Sequence, residues 1–451
     1  MAGASSLEFD VVVVGAGFAG ATLASQLERQ LPSGTRIALV NHENYVTFTP
    51  LLPEVVGASI LPGQVVAPIR QMVRRAHLYM VPVTGIDLEA RRVAYAGDGP
   101  GAIAYRECIL ACGRAADSGL LPGMAEYATP LKTVGDALYL RNQVITRLEQ
   151  AELEPDPERR QWLTTFWVLG GGFSGVEVAG EIHDFLRRAR RYYPALQQQG
   201  FQVGLVHSRD RILPELPDGL ADYAQRKMAA RGIVFCLGQR GAYLDGSGVA
   251  LQSGERLEGG TVVSTVGATP HPLVTDLGLP MSKGRLITDP DMAVPDAPGL
   301  WALGDCAAVP NGYDGQVSPP TAQFATRQAR QLARNLAAAW RQQPTRAFAY
   351  RPLGQLSSIG HHKAVAELFG LRLSGLPAWL LWRGLYLLKL PTLARKIRVY
   401  FEWNWQMLFP PEIANLRFTP SSGRAPARVT GTVDGHAEKA GNPDQEGGAG
   451  S

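Results

Sequence analysis

A chain of 451 residues is too long for one hydrophobic core and suits two or three domains, and 45% apolar with 19% charged residues excludes a disordered polyelectrolyte. The net charge of +4 is too small to argue for nucleic acid, but residues 351–418 hold nine Lys/Arg against three Asp/Glu, so that stretch carries +6 and the remainder −2. No run offers the roughly 18 apolar residues of a spanning helix, and residues 1–10 lack the basic and apolar regions of a secretory signal, so the expectation is an intracellular protein that crosses no bilayer as a helix.

The chain opens on FDVVVVGAGFAG at residues 9–20. The valines at 11–14 predict a buried parallel strand, and Gly15, Gly17 and Gly20 turn it into a helix beginning near Ala21. That is the pattern of a dinucleotide-binding turn. Gly15 permits the tight bend, Gly17 lets the backbone approach a diphosphate, and Gly20 lets helix and strand pack closely. The helix start adds free N–H groups and a partial positive charge. The next strand, in TRIALVNHENY at 35–45, ends where this architecture normally carries an acidic residue for a ribose; Asn41 stands there and can hydrogen-bond the sugar without charge. The run YVTFTPLLP at 45–53 has two prolines and predicts a rigid apolar loop, which can lie along a flat aromatic ring or simply fill the core.

Short strands in 83–95 and 107–113 are consistent with a small sheet returning to the first domain. Cys108 and Cys112 are too far apart along a strand for an easy disulfide, and with Cys236 and Cys306 they read as reduced structural thiols. The polar, proline-punctuated stretch 149–160 marks a domain boundary. FWVLGGGFSG at 166–175 then repeats the strand and sets Gly170, Gly172 and Gly175 at the first fingerprint's spacing, which implies a second dinucleotide. Glu177 and Glu181 share one face of the following helix. Glu177 can do proton or hydrogen-bond work at a nicotinamide, or both are ordinary helix charges with Glu181 solvated and facing Arg187 or Arg188; spacing leaves the two readings open. The strand in 201–213 ends at His207, Ser208 and Arg209 without the carboxylate that selects NAD, so Ser208 and Arg209 can take a 2′-phosphate, while nearby Asp210 keeps NADH open.

LWALGDC at 300–306 runs a strand into Gly304 and Asp305, where backbone can approach closely and an acceptor can reach a polyol chain. PPTAQFATRQA at 319–329 opens a helix whose start, near Ala322, tolerates prolines and can face the negative end of a reduced ring. Residues 376–409 interleave Trp379, Trp382, Tyr386, Trp403 and Trp405 with Arg383, Lys389, Arg395, Lys396 and Arg398, and Pro391 splits them into two helices. This is the composition of a pair of interfacial helices on a membrane surface, the alternatives being packing on the protein's own core or a homodimer seam. No recognised nucleic-acid module accompanies it. Residues 419–451, rich in Gly, Pro and charge without an aromatic, predict disorder.

Together the two fingerprints, the FTPLLPEV loop at 48–55, the Gly304-Asp305 strand end, the PPTAQ helix and the basic aromatic C-terminus resemble the type II NADH dehydrogenases, single-subunit flavoenzymes that pass electrons from NAD(P)H to quinone without pumping protons. The resemblance covers roughly residues 8–418. It implies an α/β fold with two Rossmann-like dinucleotide-binding domains: FAD over 1–150 and 286–350, NAD(P)H over 151–285, then a membrane-associating region over 351–418, peripheral on the cytoplasmic side of the cell membrane. By the same resemblance Gly15, Gly17 and Gly20 bind the FAD diphosphate, Thr49, Pro50 and Ala322 approach the flavin, and Gly304 with Asp305 holds the ribityl chain. Gly170, Gly172, Gly175 and the Gly267 loop hold NAD(P)H, and Glu177 assists proton uptake at the quinone with Gln323 orienting it. Two departures stand out. Arg327 occupies the place of the second glutamine in the family's AQxAxQ pattern, with Gln328 next, and Asn41 replaces an acid. The competing readings are a reductase of a soluble carrier such as ferredoxin or rubredoxin, and a non-catalytic redox-sensing flavoprotein; a sulfide:quinone oxidoreductase is disfavoured because no cysteine follows Cys306.

Overall fold

The computed structural model describes residues 7–360 and 362–416, all within one compact unit; the disorder expected of 419–451 lies outside the described residues. At the centre of a seven-stranded sheet, Leu7–Val14 runs parallel to Ile37–Asn41 on one side and Pro100–Leu110 on the other. His77–Met80 extends the first side, and the antiparallel pair Arg92–Ala96 and Val83–Asp87 extends the second. Leu300–Ala302 comes back to pair in parallel with Cys108, Ile109 and Leu110. The valines at 11–14 are almost fully buried, as a parallel strand covered on both faces requires, which explains the unbroken hydrophobic run.

A second sheet has five parallel strands in the order Ala128–Pro130, Thr261–Ser264, Thr165–Leu169, Gln202–His207 and Ile233–Leu237. Helix Phe173–Ala189 makes the crossover after Thr165–Leu169. The fold is therefore α/β with two Rossmann-like units. The stretch 149–160 is not an open linker: helix Val134–Leu153, started by a Thr133–Asp136 capping box, runs through its first half, and Pro157–Leu163 begins a new helix behind Asp156. Proline at the first helical position removes only an N–H that had no partner, so a proline-punctuated stretch can still be helical.

Ahead of the two aromatic helices stands a three-stranded antiparallel sheet, Gly354–Ser358, Ala364–Leu368 and Leu371–Gly375, which the sequence reading did not anticipate. Helices Leu376–Lys389 and Leu393–Leu408 follow, divided at Pro391 as predicted, with Thr392 accepting a hydrogen bond from the Arg395 N–H. Their tryptophans divide between the two expectations. Trp379, Trp382 and Trp403 are buried in the core that also covers the second sheet, whereas Trp405, Leu380, Leu388, Leu393, Ile397, Tyr400, Phe401 and Leu408 are exposed. Among the described residues no helix is long and apolar enough to cross a membrane.

Candidate active site

Both glycine turns have the geometry of a dinucleotide cradle. A Cβ on Gly20 would stand 1.8 Å from the Gly15 carbonyl oxygen, and one on Gly175 would stand 1.8 Å from that of Gly170, so each third glycine is obligatory. Gly17 and Gly172 face open space instead, and no side chain caps either helix start, leaving N–H groups free for an anion. Gly15 and Gly170 adopt φ of 93° and 116°, conformations that glycine enters without strain.

Around the first turn, Asn41 faces inward. Its Oδ1 accepts from the Ala16 N–H at 2.9 Å and its Nδ2 donates to the Glu43 carbonyl at 2.7 Å, so the amide braces the turn. Thr49 is exposed and Pro50 half-buried in the one-turn helix Thr49–Leu51, and Phe48 just before them packs edge-on against Phe18 and Tyr386. Asp305 is held above its ordinary pKa by burial, against the pull of Lys132, Arg114 and Arg285. Arg114 Nε is buried without a partner, so this pocket has an unused donor beside an acceptor, as a hydroxyl-rich ligand requires. Helix Ala322–Trp340 begins at Thr321 without a side-chain cap, which leaves the N–H groups from Ala322 onward available.

Arg327 and Gln328, one helical step apart, face different surroundings. Gln328 is buried and its Oε1 accepts from the Gly304 N–H at 2.8 Å, fixing the loop that carries Asp305. Arg327 turns aside and lies over the Tyr350 ring at 5.2 Å. Tyr350 in turn donates its hydroxyl to Gln323 Oε1 at 3.3 Å, and Gln323 Nε2 donates to the Gly354 carbonyl at 3.5 Å.

At the second turn, His207 Nδ1 accepts from the Gly171 N–H at 3.1 Å, and its Nε2 is buried without a partner. Burial, then Arg209, holds this imidazole below its ordinary pKa, so it is neutral. Ser208 and Arg209 are exposed at the strand end. Gly267 takes φ of 77° in its loop, where a Cβ would come within 2.9 Å of Asp117.

Glu177 is only 6% exposed. Its Oε1 accepts from the Ser358 N–H at 3.1 Å and from Trp382 Nε1 at 3.3 Å, and burial pushes its pKa up to about 8 despite both bonds. The strand Gly354–Ser358 thus holds Gln323 at one end and Glu177 at the other, roughly 13 Å apart along the chain. The solvated Glu181 facing Arg187 or Arg188 is not what forms: Glu181 is buried and accepts from Ser59 Oγ at 2.9 Å, because the C-terminal sheet and helices close over this face. Sequence reasoning missed Glu54, the glutamate of the 48–55 loop. It is 5% exposed and accepts from Trp403 Nε1 at 2.6 Å, and burial raises it to about 7. All four cysteines are free thiols.

Two successive dinucleotide cradles, the first built from a sheet completed by a returning strand, define the two-nucleotide class of flavin-dependent oxidoreductases. The model of the pyridine nucleotide-disulphide oxidoreductase family matches residues 9–329, and the chain belongs to that family. The NDH2 C-terminal domain model matches residues 353–410. The chain is 29% identical over 415 residues to the type II NADH:quinone oxidoreductase Ndh of Mycobacterium tuberculosis, covering 87% of each chain. It is 28% identical over 406 residues to the demethylphylloquinone reductase NdbB of a Synechocystis species, covering 87% of this chain and 95% of that one. Its fold superimposes on NDH2 from Plasmodium falciparum, solved in complex with NADH, with a TM-score of 0.83 at 18% identity over 90% of this chain and 99% of the other.

Proposed function

We propose that the chain passes electrons from NAD(P)H through FAD to a quinone. The observation that carries this reading is the join between the second cradle and the C-terminal region: Glu177, two residues beyond Gly175, is buried by Ser358 and Trp382 of the segment matched by the NDH2 C-terminal domain. The flavin, when bound, supplies the two-electron relay between nucleotide and acceptor. The protein's residues do the rest. The N–H groups after Gly15 and Gly170 seat the diphosphates, Asp305 and Arg114 offer an acceptor and a donor beside the first cradle, and the uncapped start at Ala322 places positive potential near it. Glu177, with a pKa of about 8, holds a proton at neutral pH and gives it to a quinone oxygen, while Gln323, tethered by Tyr350 and Gly354, offers its amide for orientation.

In this reading residues 1–150 with 286–350 form the FAD unit and 151–285 the NAD(P)H unit. The exposed apolar side of helices Leu376–Lys389 and Leu393–Leu408, with its fringe of Arg395, Lys396 and Arg398, seats the protein peripherally on the cytoplasmic face of the membrane, close to a lipid-dissolved acceptor. The test is turnover with NADH and with NADPH against a soluble quinone, a lipid-like quinone and a ferredoxin. Quinone turnover is expected; exclusive reduction of ferredoxin overturns the reading.

A further inference from the structure

We propose that Glu54 and Glu181, gathered around Arg383, form a buried proton store that refills Glu177 during quinone reduction. The inference rests on the quinone-reductase reading and adds the route by which the proton arrives.

Three carboxyls from two elements meet beneath the C-terminal helices. Glu54 comes from Leu52–Val56, directly after the Thr49-Pro50 turn, and Glu177 and Glu181 come from successive turns of Phe173–Ala189. The segment that carries Glu54 also delivers the Glu181 partner: the Ser59 N–H donates to the Glu54 carbonyl at 2.8 Å, and the Ser59 hydroxyl bonds Glu181. Gly57 lies so close that a Cβ there would stand 2.3 Å from Glu181 Oε2. Arg383, from the helix above, stacks on Trp379 at 3.9 Å and on Trp403 at 5.0 Å, and makes no direct ion pair with either carboxyl among the described residues.

The charge balance forces a proton into this space. Glu54 repels both Glu177 and Glu181, and Arg383 attracts Glu54 and Glu181. Asp184, one turn beyond Glu181, adds negative charge but is engaged by Arg231 and Arg187, and Arg188 is drawn to both acids. His362 faces Arg383 and Asp184 and is held below its ordinary pKa, hence neutral, by burial. Tyr386, facing Glu177, is pushed up by burial and keeps its proton. Arg383, with Arg188 divided between Glu181 and Asp184, does not balance three desolvated carboxylates, so protons remain on the cluster at neutral pH.

The stoichiometry supplies the demand. NAD(P)H contributes two electrons and one proton, and reduction of a quinone to a quinol takes two electrons and two protons, so one proton per turnover must come from solvent. When Glu177 releases its carboxyl proton to the quinone oxygen, the resulting carboxylate takes one from Glu54 or Glu181. The store then refills through the half-buried Ser59 hydroxyl, which can both donate and accept.

The test uses the full-length FAD-loaded protein and its Glu54→Gln, Glu181→Gln and double variants. Infrared pH titration of the oxidised protein, with no donor or quinone present, reads the carbonyl stretch of protonated carboxyls; a band that titrates near neutral pH is expected to vanish in Glu54→Gln. In steady-state quinone reduction at saturating NAD(P)H, Glu177 of the double variant must collect its proton directly from water. The alkaline fall in rate then moves about one pH unit toward acid, a loss of about tenfold at a fixed alkaline pH, and a small weak acid added to the buffer restores it. Flavin bleaching by NAD(P)H stays unchanged. A merely structural role lowers the rate in parallel at every pH and is not rescued. An unmoved infrared band in all three variants, or a parallel pH profile, overturns the store. Absence of quinone turnover in the unsubstituted protein instead defeats the functional reading, and the infrared titration still decides the store. If Glu54→Gln fails to fold, Glu181→Gln and the shorter acid Glu54→Asp carry the same measurements.

Discussion

Replacing Glu177 with glutamine isolates the energetic cost of burying that carboxyl. Glutamine keeps an Oε1 acceptor for the Ser358 N–H and the Trp382 indole, so both bonds survive while the ionisable proton is removed. In the folded protein the group titrates at about 8 rather than 4.5. Between these values the unfolded chain has released a proton that the folded chain retains, so stability falls as pH rises through this window and levels off above it. From about pH 6 to about pH 9 the fall spans two units, and at about 1.4 kcal/mol per unit it costs on the order of 3 kcal/mol. Glu177→Gln escapes this term, whereas Glu54 and Glu181 contribute to both proteins. With an unfolding entropy of roughly 2.1 cal/mol/K per residue over about 410 residues, 3 kcal/mol corresponds to about 3 °C in Tm. Thermal unfolding of both proteins at the two pH values is the assay: the variant should gain about 3 °C on the parent between the acid and the alkaline condition. An equal gap at both pH values would show that Glu177 does not carry its proton in the folded state.

Gly175→Ala drives a methyl into the Gly170 carbonyl and should abolish NAD(P)H-dependent bleaching while the protein still purifies with flavin, as an absorbance titration reads directly. Gln328→Leu strands the Gly304 N–H, a cost of about 1–3 kcal/mol, and should weaken flavin retention on dilution; retention equal to the parent would mean that this bond does not fix the Asp305 loop. Arg209→Glu places a carboxylate where a 2′-phosphate would sit and should raise the KM for NADPH at least tenfold more than that for NADH; equal changes would remove Arg209 from nucleotide selection. Leu393→Asp with Phe401→Asp puts charge on the exposed apolar side and should abolish pelleting with anionic vesicles without changing turnover of a soluble quinone.

The cradles were legible because their information is local: three glycines within six residues, a strand before and a helix after. The Gly304-Asp305 turn and the division at Pro391 were legible for the same reason. What lay beneath the C-terminal helices was not. Glu177 meets Trp382 across 205 residues and Glu54 meets Trp403 across 349, and no local spacing announces a contact of that length. The tryptophans looked interfacial because their helices are amphipathic on two sides, one fitted to protein and one left open. The inward bond of Gln328 was not legible beside Arg327, because a single helical step rotates a side chain by about 100° and nothing in the sequence says which of the two faces the core. The C-terminal strands escaped because GQLSS at 354–358 alternates too weakly to announce a buried face.

The choice of indole as partner to the buried acids has its own consequence. Trp382 and Trp403 each offer a nitrogen that gives a hydrogen bond and has no lone pair with which to receive one. Each therefore pins a carboxyl without itself relaying a proton, and at Glu177 that leaves the neighbouring Ser357 hydroxyl as the partner that can both give and receive one. Histidine or serine at either place would hold the acid as well and open a branch. The ring nitrogens work as insulation around a wire.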